Sequence, residues 1–253
     1  MRTLAVIPAR LGATRLPRKP LRLLAGLPLV VRVWERVRDT GLAERCVVAT
    51  DSDEVAQAVQ RHGGDAVMTS PDHLSGTDRV AEVAARAEFA AYDTVLNVQG
   101  DEPFVAVEAL NGAVDMVEVH GFPLGTAAAM AGLEVLQDPN VVKVVAADDG
   151  RAMYFSRAAI PFLRDRSDAA LLRDRIWRHV GVYAYSRDAL ARWVALPPHP
   201  LERVERLEQL RPLAAGLAMG VARIADAASS GIDTEDDLTR ANVEWTNTHP
   251  GTT

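Results

Sequence analysis

Apolar residues in the first hundred positions fall into short runs separated by segments with helical spacing. Residues 3–7 (Thr3-Leu4-Ala5-Val6-Ile7) predict a buried strand almost at the start of the chain. Pro28 suits the first turn of a helix reaching about Thr40, in which Leu29, Val30, Val33, Trp34 and Val37 share one face and Gly41 suits the end. Residues 45–49 predict a second strand. Asp51 or Ser52 can cap the next helix, with Val55, Ala58 and Val59 inward and Gly63-Gly64 ending it, before a third strand at Asp65–Met68. A helix capped by Thr77 or Asp78 reaches about Glu88; a strand at 94–98 and a helix at about 107–120 follow. This rhythm predicts an α/β fold with a parallel sheet covered on both faces.

The pattern then changes. Apolar segments at 125–131 and 141–147, with Asp148-Asp149-Gly150 turning into 152–155, predict added antiparallel or mixed strands. Residues 156–176 carry five arginines and three aspartates and predict a mobile loop, a candidate lid. In 178–185, His179, Gly181, Tyr183 and Tyr185 alternate with Val180 and Val182, which suits either a polar pocket wall or an ordinary half-exposed sheet face. Residues 197–200 separate two helices. The second, at 201–213, has Leu201, Val204, Leu207, Leu210 and Leu213 as a stripe, and Glu202, Arg203, Glu205, Arg206 and Glu208 on a solvated face. Residues 219–224 predict a strand, Thr234 a cap for the last helix, and 246–253 a frayed end.

Composition narrows the class. At 253 residues, 48% hydrophobic and 25% charged, the chain is a globular protein with no repeat, low-complexity tract or dividing linker. The net charge of −6 argues against a nucleic-acid partner, so any phosphate site must be a local concentration of cations. The single cysteine, Cys46, sits in an apolar run and suits core packing in a reducing compartment. No signal-peptide pattern or membrane-length stretch occurs, so a cytoplasmic location without membrane insertion is expected.

Ligands of parallel α/β sheets bind beyond the carboxyl ends of the strands. The first such loop, residues 8–20, contains Pro8, Pro17 and Pro20 and the cations Arg10, Arg15, Arg18 and Lys19. It reads as a polyphosphate grip or as a solvated basic loop, and it fits neither GxxxxGK[ST] nor GxGxxG. The loop at 69–79, with Ser75, Gly76 and Thr77, suits recognition of a base or simply a helix cap; His73 is isolated from other candidate ligands. Asp101 follows the strand at 94–98 and lands at the same sheet edge as the basic loop. A carboxylate facing a phosphate loop makes sense with a divalent cation between them; the other reading is an Asp satisfying turn amides. Asp233 is a second isolated carboxylate after a strand, whereas Asp236 and Asp237 suit a first helical turn.

Seven blocks in register, spanning about Leu4 to Ala241, resemble the 3-deoxy-manno-octulosonate cytidylyltransferases. They are Ile7-Pro8-Ala9-Arg10 with Thr14-Arg15-Leu16-Pro17 and Lys19-Pro20; Asp72-His73-x-Ser75-Gly76-Thr77; Asn97-Val98-Gln99-Gly100-Asp101-Glu102-Pro103; Tyr154-Phe155-Ser156-Arg157; Arg178-His179-x-Gly181-x-Tyr183; Leu207-Glu208-Gln209-Leu210-Arg211; and Gly231-Ile232-Asp233-Thr234. The resemblance implies a Rossmann-like nucleotide-diphospho-sugar transferase fold: one domain over 1–253 with a mostly parallel central sheet and an inserted smaller sheet, at about 120–190, that helps form a homodimer. It implies the reaction of CTP with 3-deoxy-D-manno-octulosonate (Kdo) to give CMP-Kdo and pyrophosphate, for lipopolysaccharide synthesis. It also implies roles. Arg10, Arg15 and Lys19 would hold the CTP phosphates. Ser75, Gly76 and Thr77, with Pro8 and Ala9, would select cytosine and ribose. Asp101 and Asp233 would hold Mg²⁺, and Arg10, Lys19, Asp101 and Asp233 would form the catalytic set. Gln99, Arg157, Arg164, His179, Tyr183, Glu208 and Gln209 would surround the sugar acid.

The chain departs from the family pattern at Arg18, where Gly is common, and at Ala228-Ser229-Ser230-Gly231, where Pro-Gly-Thr-Gly is frequent. Two competing readings are a cytidylyltransferase for a related acid, 8-amino-Kdo or a sialic acid, and a non-catalytic nucleotide-binding paralogue. Pyrophosphate release across sugar acids separates the first; CTP binding without turnover would mark the second.

Overall fold

β1 (Thr3–Ala9) outruns its predicted end because Pro8 needs no partner there. The Val6 carbonyl accepts from Val98 N–H (3.2 Å), so the groups two residues on point past the end of the neighbouring strand, where a missing N–H costs nothing. The computed structural model describes residues 1–12, 15–226 and 231–248. Thr14 and residues 228–230 of the quoted blocks and departures lie outside them.

The chain forms two units, Met1–Val105 with Ala228–Thr253, and Ala106–Ala227. In the first, β1 is followed by a 3₁₀ turn at Lys19–Leu21 and a hairpin, β2 (Leu23–Leu24) and β3 (Leu27–Pro28). This small separate antiparallel sheet was not visible in the hydrophobic pattern; Ala25 and Gly26 make its turn at positive φ. Then come α1 (Leu29–Asp39), β4 (Arg45–Thr50), α2 (Asp53–Arg61), β5 (Asp65–Met68), α3 (Gly76–Ala85) and β6 (Thr94–Asn97). The strands run parallel in the order β6-β1-β4-β5. Ser52 caps α2, as one of the two expected caps. α3 is capped by Ser75 rather than Thr77 or Asp78: Ser75 Oγ accepts from Asp78 N–H (3.2 Å) while the Asp78 carboxylate accepts from Ser75 N–H (3.2 Å).

The second unit contains α4 (Val107–Glu118), β7 (Leu124–Met130), β8 (Lys143–Ala146), β9 (Ala152–Ser156), β10 (Trp177–Ser186), α5 (Arg187–Ala195), α6 (Pro200–Glu205), α7 (Leu210–Ala214) and β11 (Met219–Ile224). Its sheet is mixed. β7 pairs parallel with β11 and antiparallel with β10, and β10 pairs antiparallel with β8, which pairs with β9. The region expected at about 120–190 thus extends this mixed sheet, and its long loop holds a 3₁₀ helix at Arg166–Leu172. The single helix expected at 201–213 is two short ones. Arg206 is left-handed (φ 55°), so Leu207 and Leu210 are buried but Leu201 and Val204 are exposed.

The chain closes with α8 (Glu235–Thr248), which stays helical through Thr248 where fraying was expected. Thr234 Oγ1 accepts from Asp237 N–H (3.2 Å) as its cap. Its apolar face, Leu238, Ala241 and Trp245, joins Leu16, Leu24, Leu29 and Ile232 in one buried cluster. Arg32 lies over the Trp245 ring at 4.5 Å, and Asn242 accepts from Ala25 N–H (2.9 Å). No helix among the described residues is long and apolar enough to cross a membrane. Ile232 is 1% exposed, and replacing it by Ala should lower the unfolding free energy by about 2–5 kcal/mol. Urea denaturation would measure this; a loss well under 1 kcal/mol would mean that the cluster does not hold the returning segment.

Candidate active site

The loops that follow β1 and β6 meet at one sheet edge, and two glycines record how closely. A Cβ on Gly100 would lie 2.8 Å from the Pro8 carbonyl oxygen, so this approach requires glycine. A Cβ on Gly76 would lie 3.3 Å from Pro8 Cγ and 3.9 Å from Gln99 Oε1. Pro8, Ala9, Gly76, Gln99 and Gly100 are therefore neighbours, and Ser75 and Thr77 enter the same place as the cap and first turn of α3.

The charged side chains converge beside them. Lys19 Nζ donates to an Asp101 carboxylate oxygen and to Asp233 Oδ1 (2.9 Å), and Arg15 Nη2 donates to Asp233 Oδ2 (2.9 Å). Lys19 and Asp233 are 214 positions apart in sequence. The returning segment is pinned where it matters: Ile232 N–H donates to the Asp101 carbonyl (2.9 Å). The Asp237 carboxylate then accepts from the N–H groups of Asp233 (3.1 Å) and Thr234 (2.8 Å), which fixes the loop that carries Asp233. Partial burial pulls the Lys19 ammonium pKa down, but the two carboxylates outweigh it and hold the pKa above the ordinary lysine value. Asp101 and Asp233 thus flank one cationic point. No group of three or more His, Cys, Asp or Glu side chains gathers among the described residues, so a metal at Asp101 and Asp233 would take its other ligands from phosphate oxygens and water. That donor set suits Mg²⁺. Arg10 is exposed beyond β1.

Arg18 sits at φ 58°, the left-handed region that favours glycine, and its guanidinium engages Glu54 on α2 rather than either aspartate. On the α3 side, Glu82 accepts from Ser70 N–H (2.8 Å), His73 Nε2 (2.6 Å) and Arg86 Nη2 (2.8 Å), shaping the loop before Ser75.

In the second unit, two extra residues bulge between Val180 and Tyr183 and preserve the alternation, so His179, Tyr183 and Tyr185 share a face as expected. That face is an aromatic cluster. His179 meets Phe155 edge-on at 5.1 Å and Tyr183 at 5.4 Å; Tyr183 and Tyr185 both abut Trp193. Thr126 Oγ1 donates to the Val182 carbonyl at the bulge (2.7 Å), which leaves its oxygen to accept from His179 Nε2–H (2.9 Å). Desolvation pushes the His179 pKa down to about 3, so the ring is neutral at working pH. Burial, then Tyr185 and Glu208, keep the Tyr183 phenol protonated. Gln209 is buried at the start of α7. Arg157 Nε donates to the Glu205 carbonyl (2.9 Å) and Nη1 to the Pro139 carbonyl (3.0 Å); Arg164 is exposed in the long loop.

A cytidylyltransferase family profile matches residues 4–222. A protein from Gemmatimonas aurantiaca named 3-deoxy-manno-octulosonate cytidylyltransferase is 66% identical over 97% of this chain and 95% of its own. The chain belongs to the 3-deoxy-manno-octulosonate cytidylyltransferase family. A further relative of that name, from Polynucleobacter asymbioticus, is 44% identical over 97% of this chain and 96% of its own. A solved CMP:2-keto-3-deoxy-manno-octonic acid synthetase complexed with CTP superposes with a TM-score of 0.90 at 36% identity, covering 98% of this chain and all (100%) of that one. A 4-diphosphocytidyl-2C-methyl-D-erythritol synthase from Anaerococcus prevotii shares the fold alone, with a TM-score of 0.63 at 15% identity over 97% of this chain and 98% of that one.

In this 3-deoxy-manno-octulosonate cytidylyltransferase family member, two supporting residues escaped the sequence reading. Lys143 is fully buried within the apolar run 141–147, and Glu205, assigned to a solvated face, instead accepts from Ser156 Oγ (2.6 Å) and Arg157 N–H (2.9 Å). A lone lysine inside an apolar strand was the available signal for the first; Glu205 carried none.

Glu82 yields a pH prediction. Burial raises its pKa, but the bonds from Ser70, Arg86 and His73 outweigh that and bring it from 4.5 to about 2. A depressed carboxylate stabilises the fold above its unfolded pKa and loses that contribution as pH falls through the folded one. Glu82→Gln should therefore be less stable than the parent at pH 7, and the gap should close between pH 4.5 and about 2. Denaturation midpoints across that range would show it, and a gap independent of pH would contradict the assignment.

Proposed function

We propose that the protein transfers CMP from CTP to the anomeric hydroxyl of Kdo and releases pyrophosphate, activating the sugar for lipopolysaccharide synthesis. The observation that carries this reading is the meeting of Arg15, Asp101 and Asp233 around Lys19, beside the Pro8–Gly76–Gln99 contact. The names of relatives 66% and 44% identical, and the CTP held by a solved relative 36% identical, support it.

The chemistry follows from charge. The sugar's anomeric oxygen forms a bond to the α-phosphorus while the bond from that phosphorus to the bridging oxygen of pyrophosphate breaks, and the hydroxyl proton is lost. Negative charge spreads over phosphate oxygens, so positioning and cations carry the catalysis. Arg10, Arg15 and Lys19 would take the phosphates. Ser75, Gly76 and Thr77, with the Pro8 and Ala9 backbone, would take cytosine and ribose. Asp101 and Asp233 would hold Mg²⁺, which supplies Lewis-acid stabilisation of phosphate charge when bound. Lys19, which neutralises both carboxylates in the free protein, would then be available to the triphosphate.

Arg157, Arg164, His179, Tyr183, Glu208 and Gln209 of the second unit are the candidate sugar-acid ligands, and Gln99, which lies beside Gly76 in the first unit, is a further candidate. A neutral His179 with Nε2–H held by Thr126 would offer Nδ1 as an acceptor for a hydroxyl. The guanidinium of Arg157 or Arg164 would pair with the carboxylate that separates this substrate from a neutral sugar. Exposed apolar side chains of the second unit, Met153, Phe162 and Leu171, support a homodimer formed through it. A CTP-dependent reaction of this kind belongs in the cytoplasm.

Pyrophosphate release from CTP, UTP and GTP against Kdo, 8-amino-Kdo and sialic acid tests the reading, and CTP with Kdo should be fastest. CTP binding without turnover, or a preference for another acid, would overturn it. Asp101→Asn and Asp233→Asn should each lower turnover at saturating Mg²⁺ by about a hundredfold or more while the protein still unfolds cooperatively. Near-parental turnover in either variant would remove that aspartate from the metal assignment.

A further inference from the structure

Lys143 is the most deeply buried charge among the described residues, at 0% exposure, and no carboxylate is bonded to it. Its ammonium instead donates to three main-chain carbonyls: Asp138 (2.9 Å), Val141 (2.7 Å) and Arg157 (2.5 Å). A buried lysine costs several kcal/mol in desolvation unless its donors are satisfied, and three carbonyls satisfy all three. The chain has thus spent a charge on tying the 138–141 turn to residue 157. The β8–β9 register, with Lys143 opposite Ser156, places the ammonium there.

Glu205, at the end of α6, grips the same residue from its other side. Its carboxylate accepts from Ser156 Oγ (2.6 Å) and Arg157 N–H (2.9 Å), and its carbonyl accepts from Arg157 Nε (2.9 Å). The turn tied by Lys143 provides the Pro139 carbonyl that accepts from Arg157 Nη1 (3.0 Å). Both partners of the guanidinium are therefore main-chain carbonyls whose places are set by Lys143 and Glu205. Two of the five guanidinium N–H groups go to them, which sets the plane of the fork before any anion arrives.

We propose that Lys143 and Glu205 are positioning residues for the sugar acid, holding the Arg157 guanidinium in the pose that receives the substrate carboxylate. This rests on the reading of Arg157 as a sugar-acid ligand. Neither residue touches the substrate. A displaced fork forfeits the bidentate geometry with a carboxylate, so losing either support weakens sugar-acid binding and leaves CTP binding alone.

Pyrophosphate-release kinetics on Arg157→Ala, Lys143→Met, Glu205→Gln and the double variant Lys143→Met/Arg157→Ala test this. Lys143→Met and Glu205→Gln should each raise KM for Kdo about tenfold, with KM for CTP within about twofold of the parent. The double variant should be no worse in KM for Kdo than Arg157→Ala, since the support has nothing left to position. Should Lys143→Met fail to fold, Glu205→Gln and Ser156→Ala decide the matter by the same KM split. If Arg157→Ala raises KM for Kdo while the supporting variants do not, or if the double variant is additive, the positioning proposal falls and the ligand reading stands. If Arg157→Ala leaves KM for Kdo unchanged, the ligand reading falls and the positioning proposal with it.

Discussion

The hydrogen bond from Ile232 N–H to the Asp101 carbonyl joins the two ends of the first unit at the place where its charges meet. Burial of Ile232, Leu238 and Trp245 against Leu16, Leu24 and Leu29 holds the segment after residue 230 in register with the loop after β6. Main-chain pairing alone would be worth about 1 kcal/mol, so the buried apolar cluster supplies most of the grip. Once the segment is seated, Asp233 has little choice of position, because Asp237 holds the backbone of its loop.

The electrostatics follow from that closure. Two aspartates brought together in a part-buried site repel unless a cation lies between them, and Lys19 is that cation. A chain of net charge −6 builds here a compact alternation of acid and base. Arg15 reinforces the pattern from the Asp233 side. Arg18 does not belong to it: paired with Glu54 and held at positive φ, it occupies a glycine-like position beside Lys19 without sharing its partners. The second unit works by the opposite means. His179 and Tyr183 are kept neutral by desolvation within an aromatic cluster, while the Pro139 and Glu205 carbonyls hold the Arg157 guanidinium.

Much of this was legible in the chain. The strand and helix rhythm of the first hundred residues, the alternation across 178–185 and the Thr234 cap depend on local periodicity and short side-chain bonds, which sequence displays directly. Asp101 and Asp233 were legible as isolated carboxylates after strands, and the structure brings both to Lys19. What escaped was non-local or conformational. The left-handed Arg206 splits a helix that its leucine stripe predicts whole, and the β2–β3 turn uses Ala25 at positive φ, a choice that propensity disfavours. Ser75 wins the cap of α3 because Asp78 answers it, where Thr77 was an equally good candidate by type. Glu205 looked like one of many surface charges until α6 brought it to Ser156 and Arg157.

We propose that Asp101 and Asp233 together seat a divalent cation on the triphosphate. A crystal of the protein grown with CTP and Mn²⁺, with anomalous diffraction recorded at the manganese edge, tests it most directly. One anomalous peak is expected, bonded to carboxylate oxygens of both Asp101 and Asp233 and to phosphate oxygens of CTP. A peak on the phosphates that touches neither aspartate, with Lys19 still bridging the pair, would contradict it.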